Sequence, residues 1–134
     1  MEVIICLDDK GGMLFNGRRQ SRDRALVEDV LQHCAGRRLL IGRFSAALFP
    51  DDAADIVPDE ELLTLAGDTD VCFVEAADPA AAAGRIERLT VYRWNRVYPA
   101  DSYCDIDLTG WRLAETADFV GTSHDKITRE VYER

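Results

Sequence analysis

The sequence predicts an α/β fold: a mixed sheet, mostly parallel with a C-terminal antiparallel hairpin, and helices on both faces. Two observations carry this. Short apolar runs alternate with helix-patterned segments from the N-terminus to about residue 94, an order that favours parallel strands joined by crossovers. After that point two strand-like segments follow one another across the polar turn "GTSHD", which pairs them antiparallel. No internal repeat, low-complexity tract or linker divides the 134 residues, so a single domain, 1–134, is expected.

Residues 2–8 read as a buried first strand, and "DDKGG" from Asp8 as a turn. The polar loop "FNGRRQ" leads to Ser21, a good N-cap. Leu26, Val27, Val30, Leu31 and Cys34 follow helical spacing, so a helix is expected over 22–35 with Gly36 as its stop. A second strand, 38–42, should lie beside the first and parallel to it. Gly42-Arg43-Phe44-Ser45 then opens a short helix through Phe49, and 51–57 reads as loop.

Pro58 suits the first position of a helix that Gly67 ends. Residues 70–75 carry a third strand. Asp78 and Pro79 start another helix, "DPAAAAGRIER", weakened by Gly84. Leu89 to Trp94 is a fourth strand, and the closing pair falls at 111–119 and 126–132.

Composition narrows the function classes. A formal charge of −9 disfavours general affinity for nucleic acid or an anionic membrane. No apolar run approaches the ~20 residues that span a bilayer. The N-terminus lacks a basic segment followed by an apolar core, so no signal peptide is expected and cytoplasmic residence follows. Cys6, Cys34, Cys72 and Cys104 are widely spaced in apolar surroundings and read as buried small hydrophobes, not as a metal or disulfide framework.

Three segments are candidate sites. In "NGRRQSRDR", Arg18, Arg19, Arg22 and Arg24 face one acid, Asp23. Guanidinium forks match phosphate or carboxylate bidentately, although surplus surface carboxylates could equally pair with them. The loop follows the carboxyl end of a strand, where open α/β sheets place ligands. In "IGRFSAALF", Gly42 permits close backbone approach, Arg43 adds charge, and Ser45 stands at a helix start that favours anions; an ordinary strand-to-helix turn looks the same. In "YRWNRVYPADSYCDID", alternation puts Tyr92 and Trp94 on one face and Arg93 and Asn95 on the other. The aromatics could stack a heterocycle or pack in a core, while Asn95 and Arg96 sit near the strand end as ligand contacts.

His33 and His124 form neither HxH nor HExxH, no serine sits in GxSxG, and there is no P-loop. These absences give a metal-dependent or nucleophilic hydrolase little support in sequence.

"VIICLDDKGGML", the polar loop, a helix opening with an acid, "LLIGRFS" and the closing "YPADSYCDID" together resemble dihydrofolate reductase. The resemblance covers most of the chain and implies a dihydrofolate reductase-like mixed sheet. It implies Asp23 as the catalytic acid, with Ser102 as the hydroxyl that supports it. It also implies Gly42, Arg43 and Ser45 as contacts to cofactor phosphates. Glu75, Ala76, Ala77 and Asp78 stand where that family has a Gly-Gly pair against the pyrophosphate, the Trp of its Leu-Pro-Trp loop is absent, and the chain is short for the family. The chain is also similar to a group of short bacterial proteins sharing "FNxRRQS" and "YRWNRxYP". The ribonuclease Z label that some of them carry implies an HxHxDH motif absent here.

The expectation is therefore a reductase-like domain with a degenerate cofactor site and no cofactor. It would bind a small anionic ligand through Arg18, Arg19, Gly42, Arg43, Ser45, Asn95 and Arg96. One alternative is an NADPH-dependent reductase of a pterin-like substrate, with Asp23 as proton relay and Ser102 behind it. Another is a protein-interaction domain without ligand.

Overall fold

The computed structural model describes all residues, 1–134. Its main sheet has seven strands. They are β1 (Glu2–Leu7), β4 (Leu39–Gly42), β5 (Asp55–Val57), β6 (Val71–Phe73), β7 (Arg88–Arg93), β9 (Arg112–Phe119) and β10 (Ile127–Glu133), in the order β5-β4-β6-β1-β7-β10-β9. The first five in that order, β5 through β7, run parallel. β10 is antiparallel to both β7 and β9, so the expected C-terminal hairpin is present.

One expected neighbour is wrong. The first two predicted strands, β1 and β4, do not touch, because β6 lies between them. All three residues of β6 are apolar and buried, so the strand has no face to give to water and belongs inside the sheet. Asp70, just before it, holds it there: Arg38 donates to the Asp70 carboxylate through Nε at 3.1 Å, and Val71 N–H donates to Arg38 O at 2.9 Å.

Side-chain alternation splits the core into two layers. Val3, Ile5 and Leu7 of β1 pack on one side with Leu62, Cys72, Ile86 and Val91. Ile4 packs on the other with Leu26, Val27 and Val30 of helix α1 (Arg24–His33) and with Phe73, Tyr92, Trp94 and Ile127. Each such buried aliphatic side chain contributes roughly 1.5–3 kcal/mol of transfer free energy. Tyr92 and Trp94 are thus core residues, as the non-ligand alternative had it.

Helix α1 is shorter than the predicted 22–35, and its cap is Asp23 instead of Ser21. Asp23 Oδ1 accepts from the N–H groups of Ala25 at 2.9 Å and Leu26 at 3.3 Å. A carboxylate satisfies the same orphan donors as a hydroxyl and is further favoured by the helix dipole.

The segment from Pro58 forms a 3₁₀ turn (Asp59–Glu61) and one turn of helix, α2 (Leu62–Leu65). "DPAAAAGRIER" gives a 3₁₀ segment (Pro79–Arg85) that kinks at Ala82, because Ile86 must reach the core and Arg88 must open β7. Residues 55–57, read as loop, are the edge strand β5, whose apolar content is too slight to stand out.

The sequence reading also missed a second, three-stranded sheet: β2 (Gly12–Phe15), β3 (Arg18–Arg19) and β8 (Ser102–Tyr103), in the order β3-β2-β8. Its hairpin turns at Asn16-Gly17, with φ of 51° and 69°. Asn-Gly with both residues left-handed is a strong hairpin signal, so this element was legible. The hairpin carries Arg18 and Arg19 over the carboxyl edge of the main sheet.

Candidate ligand site at the carboxyl edge of the sheet

At the amino end of the parallel strands four arginines pair with carboxylates: Arg37 with Glu2 at 2.6 Å, Arg88 with Glu133 at 3.4 Å, Arg112 with Glu133 at 3.7 Å, and Arg38 with Asp70. Arg85 and Arg134 at that end donate to backbone carbonyls instead, Arg85 to Leu63 O and Ala66 O and Arg134 to Ala83 O. Glu2 anchors this end. Burial alone would raise its pKa, but hydrogen bonds from His33, Thr90 and Arg37 outweigh that and hold it at about 2. At the carboxyl end, Arg18, Arg22, Arg24, Arg43 and Arg96 are exposed and make no ion pair within the chain.

Arg93, at the end of β7, and Arg19 are paired at that edge, Arg93 with Glu130 at 2.6 Å and Arg19 with Glu75. Arg19 Nε donates to Glu75 Oε2 at 3.0 Å, and its Nη2 donates to Glu75 Oε1 at 3.1 Å and to Phe44 O at 2.9 Å. Ser45 Oγ donates to the same Glu75 Oε1 at 2.7 Å. The guanidinium also lies over the Phe44 ring, 4.8 Å from its centroid. Asp59 treats the neighbouring turn in the same way: its Oδ2 accepts from Phe44 N–H at 3.1 Å. A Cβ on Gly42 would meet Asp59 Oδ1 at 1.9 Å. Gly42 is thus bare because the chain's own carboxylate packs against it.

Arg18, Arg19, Ser21 and Arg22 line one cleft with Gly17 and Phe44, of about 450 Å³. Arg43 and Arg96 lie outside that cleft. Asn95 has a φ of 58°, and its Nδ2 donates to Lys126 O at 3.2 Å and Thr128 Oγ1 at 3.0 Å, which ties the end of β7 to the start of β10. Arg96 contributes its carbonyl, which accepts from Asp9 N–H at 2.8 Å.

Asp23 sits behind the cleft with its side chain fully enclosed. Besides capping α1, Oδ1 accepts from Thr122 N–H at 2.9 Å and Oδ2 from Ser123 N–H at 2.8 Å. His124 Nδ1 lies 2.9 Å from Oδ2. Burial would raise the Asp23 pKa, but the bonds from His124 and from the Ser123, Thr122 and Leu26 N–H groups outweigh it and hold it at about 2. Ser102 is not among its partners; it pairs with Leu14 in the small sheet.

His124 is the residue the sequence reading passed over. Its ring stacks on Trp94 at 4.6 Å, and its Nε2 faces Tyr98 Oη at 2.8 Å and Ser21 Oγ at 3.2 Å. The sequence separation of 101 between Asp23 and His124 hides this contact from any local motif. A second cleft, about 570 Å³, lies beside α1 and is lined by Arg22, Asp23, Arg24, Val27, Leu48 and Phe49 among others.

No protein-family model matches the chain, and no curated protein matches it in sequence. In three dimensions it is similar to a dihydrofolate reductase from Enterococcus faecalis complexed with NADP(H) and RAB-propyl. The TM-score is 0.69 at 14% sequence identity, with 99% of this chain and 95% of that chain covered. At that identity the likeness is one of fold: the mostly parallel mixed sheet with its antiparallel C-terminal strands is dihydrofolate reductase-like. No helix of the chain is long and apolar enough to cross a membrane.

Proposed function

We propose that this is a reductase-like domain that binds a small anionic molecule in the cleft of Arg18, Arg19 and Arg22, without using a nicotinamide cofactor. The observation that carries the reading is unneutralised charge in the lining of one cleft. With 25 acidic residues against 16 basic ones, the chain still leaves Arg18 and Arg22, both lining that cleft, exposed and without a carboxylate partner. Neighbouring like charges cost stability in the free protein, and a bound anion would remove that cost. Arg43 and Arg96 would add to the positive potential of this edge without lining the cleft.

The neighbour of the same fold is complexed with NADP(H), and the chain's residues do not fit that group well. Glu75 occupies Ser45 Oγ and the Arg19 fork, and Asp59 occupies Gly42 and Phe44 N–H. Two carboxylates therefore fill the donors that a cofactor phosphate would need. Asp23, ionised and saturated with donors, is also poorly placed to relay a proton.

The test is thermal unfolding with inorganic phosphate, comparing the native chain with an Arg18→Ala, Arg22→Ala double variant. Saturable stabilisation of the native chain that the variant loses supports the reading. Equal responses would overturn it and leave a ligand-free interaction domain.

A further inference from the structure

We infer that Ser21, His124 and Asp23 form a nucleophile–base–carboxylate relay, with Asp23 only orienting the base, that gives the arginine cleft acyl-transfer activity on esters carrying a negative charge. The inference rests on the proposed anion cleft for its substrate class, and on separate geometry for its chemistry. Asp23 is enclosed and ionised, so it accepts the Nδ1 proton of His124 at 2.9 Å and fixes the tautomer. That leaves the Nε2 lone pair facing Ser21 Oγ, 3.2 Å away. Trp94 stacks on the ring and prevents it from turning away. Of the three, Ser21 alone lines the cleft, where Arg18 and Arg22 stand beside it.

Arg22 and Asp23, which follow Ser21 directly, donate no backbone hydrogen bond within the chain. An N–H of the residue after the nucleophile is a common donor to a developing oxyanion. Tyr98 Oη also reaches Nε2, at 2.8 Å, and Ser21 Oγ, at 3.4 Å, so it competes for the base at rest.

In the first step Ser21 Oγ bonds to the ester carbonyl carbon while its proton passes to His124 Nε2. The carbon–oxygen bond to the leaving alcohol then breaks, and that alcohol takes the proton from Nε2. A water molecule, deprotonated by the same nitrogen, cleaves the acyl-serine to release the acid and restore Ser21. No oxidant, reductant or metal enters the balance. Ser21 is the catalytic nucleophile and His124 the base; Asp23 is a positioning residue.

Two measurements on the full chain test this. The first is labelling by a neutral fluorophosphonate, together with hydrolysis of p-nitrophenyl acetate and mono-p-nitrophenyl succinate. Labelling at Ser21, lost in Ser21→Ala, with faster turnover of the succinate, is expected, and Ser21→Ala should lower the rate by roughly 100-fold or more. The second covers the case of a slow serine. In Ser21→Cys, alkylation by iodoacetamide should persist below about pH 7, where an ordinary thiol loses reactivity tenfold per unit. Burial pushes all four native thiols up, so they contribute little background. An unlabelled Ser21 together with an ordinary thiol profile in Ser21→Cys would overturn the relay and leave the anion site standing. Labelling with no preference for the succinate would keep the relay and overturn the substrate class.

Discussion

Glu75 sits in the guanidinium fork of Arg19, with Nε to Oε2 at 3.0 Å and Nη2 to Oε1 at 3.1 Å. Ser45 Oγ donates to the same Oε1 at 2.7 Å. Three donors that would suit a phosphate are thus held by a carboxylate of the same chain. The anion chemistry of this edge has two parts, one satisfied internally and one, at Arg18 and Arg22, left open.

Replacing Glu75 with Gln should transfer the first part to the second. The amide keeps the shape but loses the charge, so Arg19 becomes a free cation in the cleft. The partly exposed pair makes the cost modest, roughly 1 kcal/mol by urea unfolding. Millimolar phosphate should then stabilise Glu75→Gln more than the native chain. A smaller phosphate response in the variant would contradict the picture of Glu75 as an internal anion.

NADPH should not bind the native chain tightly, since Glu75 and Asp59 hold the donors a phosphate would use. Titration followed by nucleotide fluorescence or heat should show no saturation in the micromolar range. Saturable micromolar binding would revive the reductase reading.

Stability should fall in acid with a component from Asp23 and Glu2. Both have folded pKa values below their ordinary ones: Asp23 near 2 against 3.8, and Glu2 near 2 against 4.5. A depressed carboxylate stabilises the fold above its unfolded pKa, and that contribution disappears as pH falls through the folded value. The window is therefore from about pH 4.5 down to about 2, with roughly 2 kcal/mol or more from each group. Urea unfolding across that range should show the loss, and Asp23→Asn should be less stable at pH 7 with a shallower pH dependence. A slope unchanged by the substitution would rule out Asp23 as a source.

Gly121 should tolerate no side chain. A Cβ there would meet Asp23 Oδ2 at 2.5 Å, and His124 O and Ile127 Cδ1 at 3.0 Å. Since Asp23 is held by five donors, it cannot yield without breaking the α1 cap. Gly121→Ala should lose about 1–3 kcal/mol by chemical denaturation. It should also broaden or shift the His124 ring resonances in an NMR spectrum. Native-like stability would show that the Asp23 network relaxes more easily than its geometry implies.

Much of the fold was legible because it rests on local pattern. The continuous apolar runs at Val3–Leu7, Leu39–Ile41 and Val71–Val74 can only be interior strands, and Leu26, Val27 and Val30 can only form one helix face. The Asn16-Gly17 hairpin was equally local, and was missed by treating a specific turn signal as generic loop. Strand order was not legible. Nothing near Val71–Phe73 says that it lies between β1 and β4; burial on both faces and the Arg38–Asp70 pair decide that.

The candidate site divides in the same way. Sequence by itself determined that arginines gather in 18–24, that Gly42 permits close approach, and that Glu75 and Asp78 replace the small residues implied by the resemblance. Only the tertiary structure decided which of those charges remain unpaired. Glu75 closes on Arg19 across 56 residues, Asp59 closes on Phe44 across 15, and Asp23 meets His124 across 101. The physical reason is that electrostatic and hydrogen-bond energies depend on distances of a few ångströms in space. Sequence pattern reports such distances only within a helical turn or a strand pair, and these partners are brought together by chain crossovers.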